Sequence, residues 1–225
     1  NLDTVPWKHK IRVHLQESSL LKQADGLIAH NPVMKSVLVD KGISEKKIVS
    51  LGIFDYLIPN YQDKEDLSKE GAIIVAGNLA QEKAGYLYEL PARPAYNLYG
   101  VGFDEARKLS NETYFGSFLP DELPSALEGS FGLVWDGDSS KTCSGVFGEY
   151  LRYNNSHKAS LYLASGFPII VWGQSALANF VLEKECGISI ESLLDLEEVL
   201  EHLSQEEYQG LVKNAKAVGQ KIREG

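Results

Sequence analysis

The run Asn154-Asn155-Ser156-His157-Lys158 gathers amide, hydroxyl, imidazole and ammonium groups just ahead of an apolar stretch that turns at Gly166-Phe167-Pro168. Asn and Ser at a helix start can satisfy its free amides, and a helix start with outward N–H groups suits an anion. Lys158 falls in the first turn, where the helix dipole disfavours a cation unless an anion compensates it. The spacing therefore predicts a small anion held at this turn. The plainer account is a helix capped by Asn, with His157 a satisfied polar residue and Lys158 in water, and both accounts fit the residue types.

Two more stretches offer related chemistry. In "IIVAGNLAQEKAGYL" a strand-like run ends at Gly77 and Asn78, and a helix bearing Lys83 follows. Glycine lets a phosphate approach the backbone, and the lysine adds charge one turn on. A plain strand-to-helix turn with a solvated lysine is the simpler reading. In "LVWDGDSSKTCSGVFG" a strand enters a loop rich in Gly and Ser, with Asp136 and Asp138 two apart. Carboxylates so spaced can share a divalent ion with diphosphate oxygens. They are more simply solvated loop acids, or acids that accept from a ligand's hydroxyls. "LYGVGFDEA" has Gly100 and Gly102 but Glu105 where a dinucleotide fingerprint needs its third glycine, which argues against a dinucleotide. No G-x-S-x-G occurs, and no histidine pair has metal-ligand spacing on a helix. Anion-binding loops are present and an evident nucleophile is not.

These loops need elements to hold them. Apolar spacing predicts a helix over 8–23, a strand at "DGLIAH", a helix from Asn31-Pro32 to a Gly42 cap, and a strand at "KIVSLG". That order reads as the closing half of an α/β domain. The charged, apolar-poor "YQDKEDLSKEG" at 61–71 reads as a linker. Strand-like runs follow at 72–76, 96–99, 113–115, 133–135, 169–172 and 188–190, with helix-compatible sequence at 81–89, 121–127, 157–165 and 175–185. Alternation of this kind predicts a parallel sheet covered on both faces and wound in the Rossmann manner, and 194–223 reads as two helices. In such a sheet ligands bind beyond the carboxyl ends of the strands, where all three candidate loops fall.

The 225 residues can bury one full domain and part of another. A net charge of −9 without a basic stripe argues against nucleic acid. Cys143 and Cys186 are too few for a disulfide framework and suit a reducing cytosol. No apolar run approaches the ~20 residues a membrane span needs, and the first residues lack the apolar centre of a signal peptide. The sequence begins without Met and enters almost directly into a helical pattern, which points to residues preceding Asn1.

Taken together, "NNSHKASLYLASGFPIIVW", "LVWDGDS", "VAGNLAQEKAGYL" and "ADGLIAHNPVMKSVLVDKG" resemble a bacterial sugar transferase. The chain is most similar to the glucosyltransferase 3 family of streptococci and lactobacilli, which adds the second sugar to GlcNAc-modified serine-rich-repeat adhesins and is often described as β-1,6-galactofuranosyltransferase-like. The resemblance implies a GT-B architecture, two Rossmann-like domains facing across a cleft, the first only partly present here. On that reading 1–60 is the end of the acceptor domain, 61–71 the linker, 72–204 the donor-binding domain and 205–225 a C-terminal helix.

The resemblance also implies a cytoplasmic enzyme, forming homo-oligomers, that moves a hexose, glucose first, from a UDP-sugar to a glycosylated protein or saccharide acceptor; the alternatives are a galactofuranosyltransferase of polysaccharide synthesis and a non-catalytic nucleotide-binding subunit. No cofactor and no obligatory metal are expected. Lys158 would pair with the UDP diphosphate beside Asn154, Asn155 and His157. Gly77, Asn78 and Lys83 would form the opposite wall, with Ser144 and Gly145 on the loop between. The paired glutamates of broader retaining GT-B families would fall near Tyr153 and Leu161, neither of them acidic, so no catalytic residue follows from the motif.

Overall fold

The computed structural model describes residues 19–224. Most of the helix expected over 8–23 lies outside that range, and its end, 19–23, is helical. A small unit follows: strand β1 (Leu27–Ala29), helix α1 (Pro32–Asp40) and strand β2 (Ile48–Ser50), the two strands pairing in parallel. Asn31 starts the helix, its Oδ1 accepting from the Met34 amide at 2.8 Å, and Pro32 occupies the first turn, where its missing N–H costs nothing. Gly42, at φ 81°, takes the left-handed turn beyond the helix end.

The second unit is a six-stranded sheet of β3 (Ile73–Asn78), β4 (Tyr96–Val101), β5 (Glu112–Tyr114), β6 (Gly132–Val134), β7 (Ile169–Trp172) and β8 (Gly187–Ile190). Every pairing is parallel, in the order β5-β4-β3-β6-β7-β8. Helices α2 (Gln81–Ala84), α3 (Leu123–Ala126), α4 (Gly145–Tyr150), α5 (His157–Ala164), α6 (Ala178–Lys184), α7 (Leu196–His202) and α8 (Gln205–Glu224) connect and cover it. The central strands β6 and β7, and β3 through Ala76, read as unbroken apolar runs because both faces are buried. Ile73 and Val75 pack on one side with Leu133, Trp135 and Trp172, while Ile74 and Ala76 pack on the other with Val134, Tyr162 and Val171. From β3 the chain steps outward to β4 and β5, then returns to lay β6 on the far side of β3. The winding reverses there, which opens a crevice beyond the carboxyl ends of β3 and β6.

The long terminal helix belongs to this unit. A Cβ on Gly219 would overlap the Leu163 carbonyl, so α8 lies backbone to backbone on α5, and the Tyr208 hydroxyl donates to the Ser130 carbonyl at 2.8 Å. At its end the Ile222 carbonyl accepts from the Tyr56 amide at 3.0 Å. Residues 61–71 lie against the same surface and do not stand clear of it. Asp63 is paired with Lys216 at 3.0 Å, Lys64 donates to the Ser125 carbonyl, and the Arg223 guanidinium stacks on Tyr61. One helix differs from the sequence expectation: α4 occupies part of the Gly/Ser-rich stretch that reads as a loop. Gly148 permits it, since a Cβ there would crowd the backbone of Cys143 and Asp136.

Candidate functional site

Three loops converge on the crevice. After β3 the chain turns at Gly77, whose φ of 122° favours glycine, and Asn78 accepts from the Ala80 amide at 2.9 Å to tighten the turn into α2. After β6, Gly137 binds this loop to its neighbour: its amide donates to the Lys83 carbonyl at 2.8 Å and its carbonyl accepts from the Tyr86 amide at 3.3 Å. The third element is α5, whose first turn faces the same opening.

Lys158 is the centre of the site. Its side chain runs past Gly77, where a Cβ would stand 3.6 Å from Lys158 Cε. Its ammonium donates to Asp136 Oδ1 at 2.8 Å and to the Trp135 carbonyl at 3.1 Å. Both partners are buried, the side chains retaining 10% and 8% of their exposure. The compensating anion demanded by a lysine in the first turn is thus Asp136, carried by the end of β6. This corrects the reading of Asp136 as a solvated loop acid. Asp138 is exposed and accepts from the Ser144 hydroxyl, so the two acids do not face one another around a shared point. Among the described residues no cluster of three His, Cys, Asp or Glu side chains is placed to hold a metal ion.

The other candidates divide into two groups. Gly77, Asn78 and Lys83 stand at the opening, with the Lys83 ammonium 5.6 Å from the Phe147 ring centre, and Ser144 and Gly145 border it through Asp138. Asn155 does not reach the opening. Its Nδ2 donates to the carbonyls of His30, at 2.8 Å, and Gly52, its Oδ1 accepts from Asn31 Nδ2 at 2.8 Å, and its amide donates to His30 Nδ1 at 3.3 Å. Every polar atom of the side chain is engaged with the first unit. His157 is exposed and stacks on Phe54 with ring centres 4.1 Å apart, and Phe54 meets His30 edge-on. Asn154 is half-buried, its Oδ1 sealed without a partner. Nor does the start of α5 offer a row of free amides, because Ser156 caps it through the Lys158 amide.

Charges in this region follow burial. Desolvation, with the His157 charge second, lowers the pKa of His30, which keeps its Nδ1 free to accept from Asn155. Burial pushes the hydroxyl of Tyr86 far up, with Asp136 adding to it, and likewise the Cys143 thiol, so neither ionises near neutrality. The residues missed from sequence are Asp136 as the partner of Lys158 and the His30, Asn31, Gly52 and Phe54 side of the seam. The first had a signal, since a misplaced lysine needs an acid and Asp136 directly follows the strand-like run 133–135.

Two family models match the chain. The model described as glucosyltransferase 3-like, C-terminal domain, matches residues 73–225, and its N-terminal companion matches 3–53. The chain belongs to the glucosyltransferase 3-like family. The chain is 37% identical over 214 residues to the β-1,6-galactofuranosyltransferase WbbI of Escherichia coli (strain K12), covering 93% of this chain and 62% of that protein. It is 26% identical over 209 residues to glucosyltransferase 3 of Streptococcus gordonii, covering 92% of this chain and 60% of that one. The chain therefore spans about three fifths of the length of these relatives. Among solved structures it matches Anabaena Alr3699/HepE in complex with UDP-glucose at TM-score 0.60 and 12% identity, covering 97% of this chain and 66% of that one. It matches sucrose-phosphate synthase from Thermosynechococcus elongatus at TM-score 0.65 and 14% identity, covering 98% of this chain and 60% of that one. At such identities the likeness is one of fold, the GT-B type.

Proposed function

We propose that this chain is the nucleotide-sugar-binding part of a hexosyltransferase that uses a UDP-sugar. One observation carries the reading: a buried lysine flanks a positive-φ glycine in the crevice where the strand order reverses. In parallel sheets that crevice receives nucleotides, and an ammonium there meets a diphosphate. As the hexose leaves, the bond from its anomeric carbon to the diphosphate oxygen breaks and the acceptor oxygen takes its place. Charge grows on the departing diphosphate, and Lys158 stabilises it more in the transition state than before. In this reading Lys158 supplies the charge that a metal would, so turnover continues in chelator.

The hexose is glucose and the acceptor a saccharide, GlcNAc on a serine-rich-repeat glycoprotein. A second reading, galactofuranose transfer in polysaccharide synthesis, is favoured by the higher identity to WbbI, 37% against 26%. A cytoplasmic setting fits two buried, unpaired cysteines. Assembly with further copies of the chain is checked by sedimentation.

Calorimetry with UDP tests the core of the reading. Wild type binds UDP, and Lys158→Met weakens binding by ~1–3 kcal/mol, the range for a hydrogen bond to a charged group. Equal affinities, or no binding by wild type, refute it. Transfer from UDP-glucose against UDP-galactofuranose then separates the two donors.

A further inference from the structure

The Lys158–Asp136 pair leaves something over. Asp136 Oδ1 accepts from Lys158, whereas Oδ2 receives no donor from any described residue and is not sealed from solvent. A carboxylate offers about four acceptor sites, and a nearly buried one left half-satisfied is costly. As counter-ion of Lys158, Asp136 uses only Oδ1, and Oδ2 remains an acceptor open to whatever enters the crevice. Glu112 differs in access: its Oε2 accepts from the Leu109 amide at 2.7 Å and its Oε1 is sealed without a partner, out of reach of any ligand. The opening beside Asp136 carries Lys158 and, against it, Gly77, whose missing side chain gives a ligand room.

We propose that Asp136 reads the hexose of the nucleotide sugar by accepting a hydroxyl of the sugar through Oδ2. This rests on the nucleotide-sugar reading above and deepens it. The chemistry discriminates between the ligand's two halves. An ionised diphosphate has only acceptors and is repelled by a carboxylate, so it takes the one Lys158 N–H that neither Asp136 nor the Trp135 carbonyl holds. The hexose is neutral and bears O–H donors, so it is the half that a lone acceptor can hold. Asp136 thus sets the order of the ligand along the crevice, diphosphate over Lys158 and sugar over the free carboxylate oxygen. UDP alone gains nothing from Asp136 and meets its charge.

The assignment predicts opposite responses in one variant. Asp136→Asn keeps the shape and removes the charge. Calorimetry on the full chain, with UDP, UDP-glucose and UDP-galactofuranose as probes, compares the variant with wild type. UDP is expected to bind the variant as tightly as wild type or several-fold tighter. The UDP-sugar that wild type holds best is expected to bind at least tenfold weaker. Asp136→Glu, which keeps the acceptor but moves it, should fall between. If UDP and UDP-sugar weaken together, Asp136 merely positions Lys158 and the proposal fails. If neither changes, it fails as well. If wild type binds no UDP, the nucleotide reading itself is wrong, a result distinct from both. Circular dichroism melts confirm that the variants are folded.

Discussion

Asn155 and Lys158 stand within one turn of each other at the start of α5, yet they serve two regions built on different physics. Asn155 faces the seam with the first unit as a neutral amide with every donor and acceptor matched, a closed account that holds β1, α1 and the 52–54 turn against the sheet. Lys158 faces the crevice as a charge, matched by Asp136 and the Trp135 carbonyl with one N–H to spare, and its partner acid keeps an unmatched oxygen. A satisfied network rigidifies, and an unsatisfied one invites a ligand. The lesson is that polar residues crowded into one motif need not share a task, because successive residues of a helix start project in different directions.

Breaking the charged region should cost most. Lys158→Met leaves Asp136 buried and unpaired, so unfolding in urea should show a loss of ~3–5 kcal/mol, and Asp136→Asn added to it should restore most of that. A double variant no better than the single one would deny that the pair acts as a unit. Breaking the seam comes next: Asn155→Ala orphans the Gly52 carbonyl, while the His30 carbonyl keeps the Gly52 amide, and should cost ~1–3 kcal/mol by the same measurement. Its loss should also persist in high salt, whereas salt acts on charges.

The seam carries its own pH dependence. His30 has a pKa below its ordinary 6.5, so the unfolded chain binds the proton more readily than the folded one. Its contribution is whole above 6.5 and is lost as the pH falls through its lower folded value. Urea midpoints should drop from pH 7.5 to pH 5, and His30→Gln should flatten part of that drop. The smallest effect belongs to the 61–71 segment, where Lys216→Met removes a partly exposed pair with Asp63 and should cost under ~1 kcal/mol.

Much of the fold was legible because its signals are local. Asn31-Pro32 at a helix start, Gly42 at its end and the unbroken runs at 73–76 and 169–172 each declare an element through propensity and capping. Helix α4 was not legible, since Gly145 and Gly148 argue for a loop until packing against Cys143 and Asp136 explains the second glycine. Of the candidate site, the place of Gly77 at a strand end and of Lys158 in a helix's first turn was legible from residue types and spacing. Asn155 was placed in the right segment with the wrong partner in view, because its side chain bonds to residues more than a hundred positions away.

By itself the sequence determined the alternation of strands and helices, the acidic balance, and the presence of a lysine where a helix dipole resists one. All of these depend on neighbours within a turn or two. Only the tertiary structure decided that Asp136 answers that lysine, that Asn155 turns to the seam, and that the crevice opens between β3 and β6. Each of those is a contact across the sheet or between units, and its free energy exists only when distant segments are brought together and water is excluded from between them.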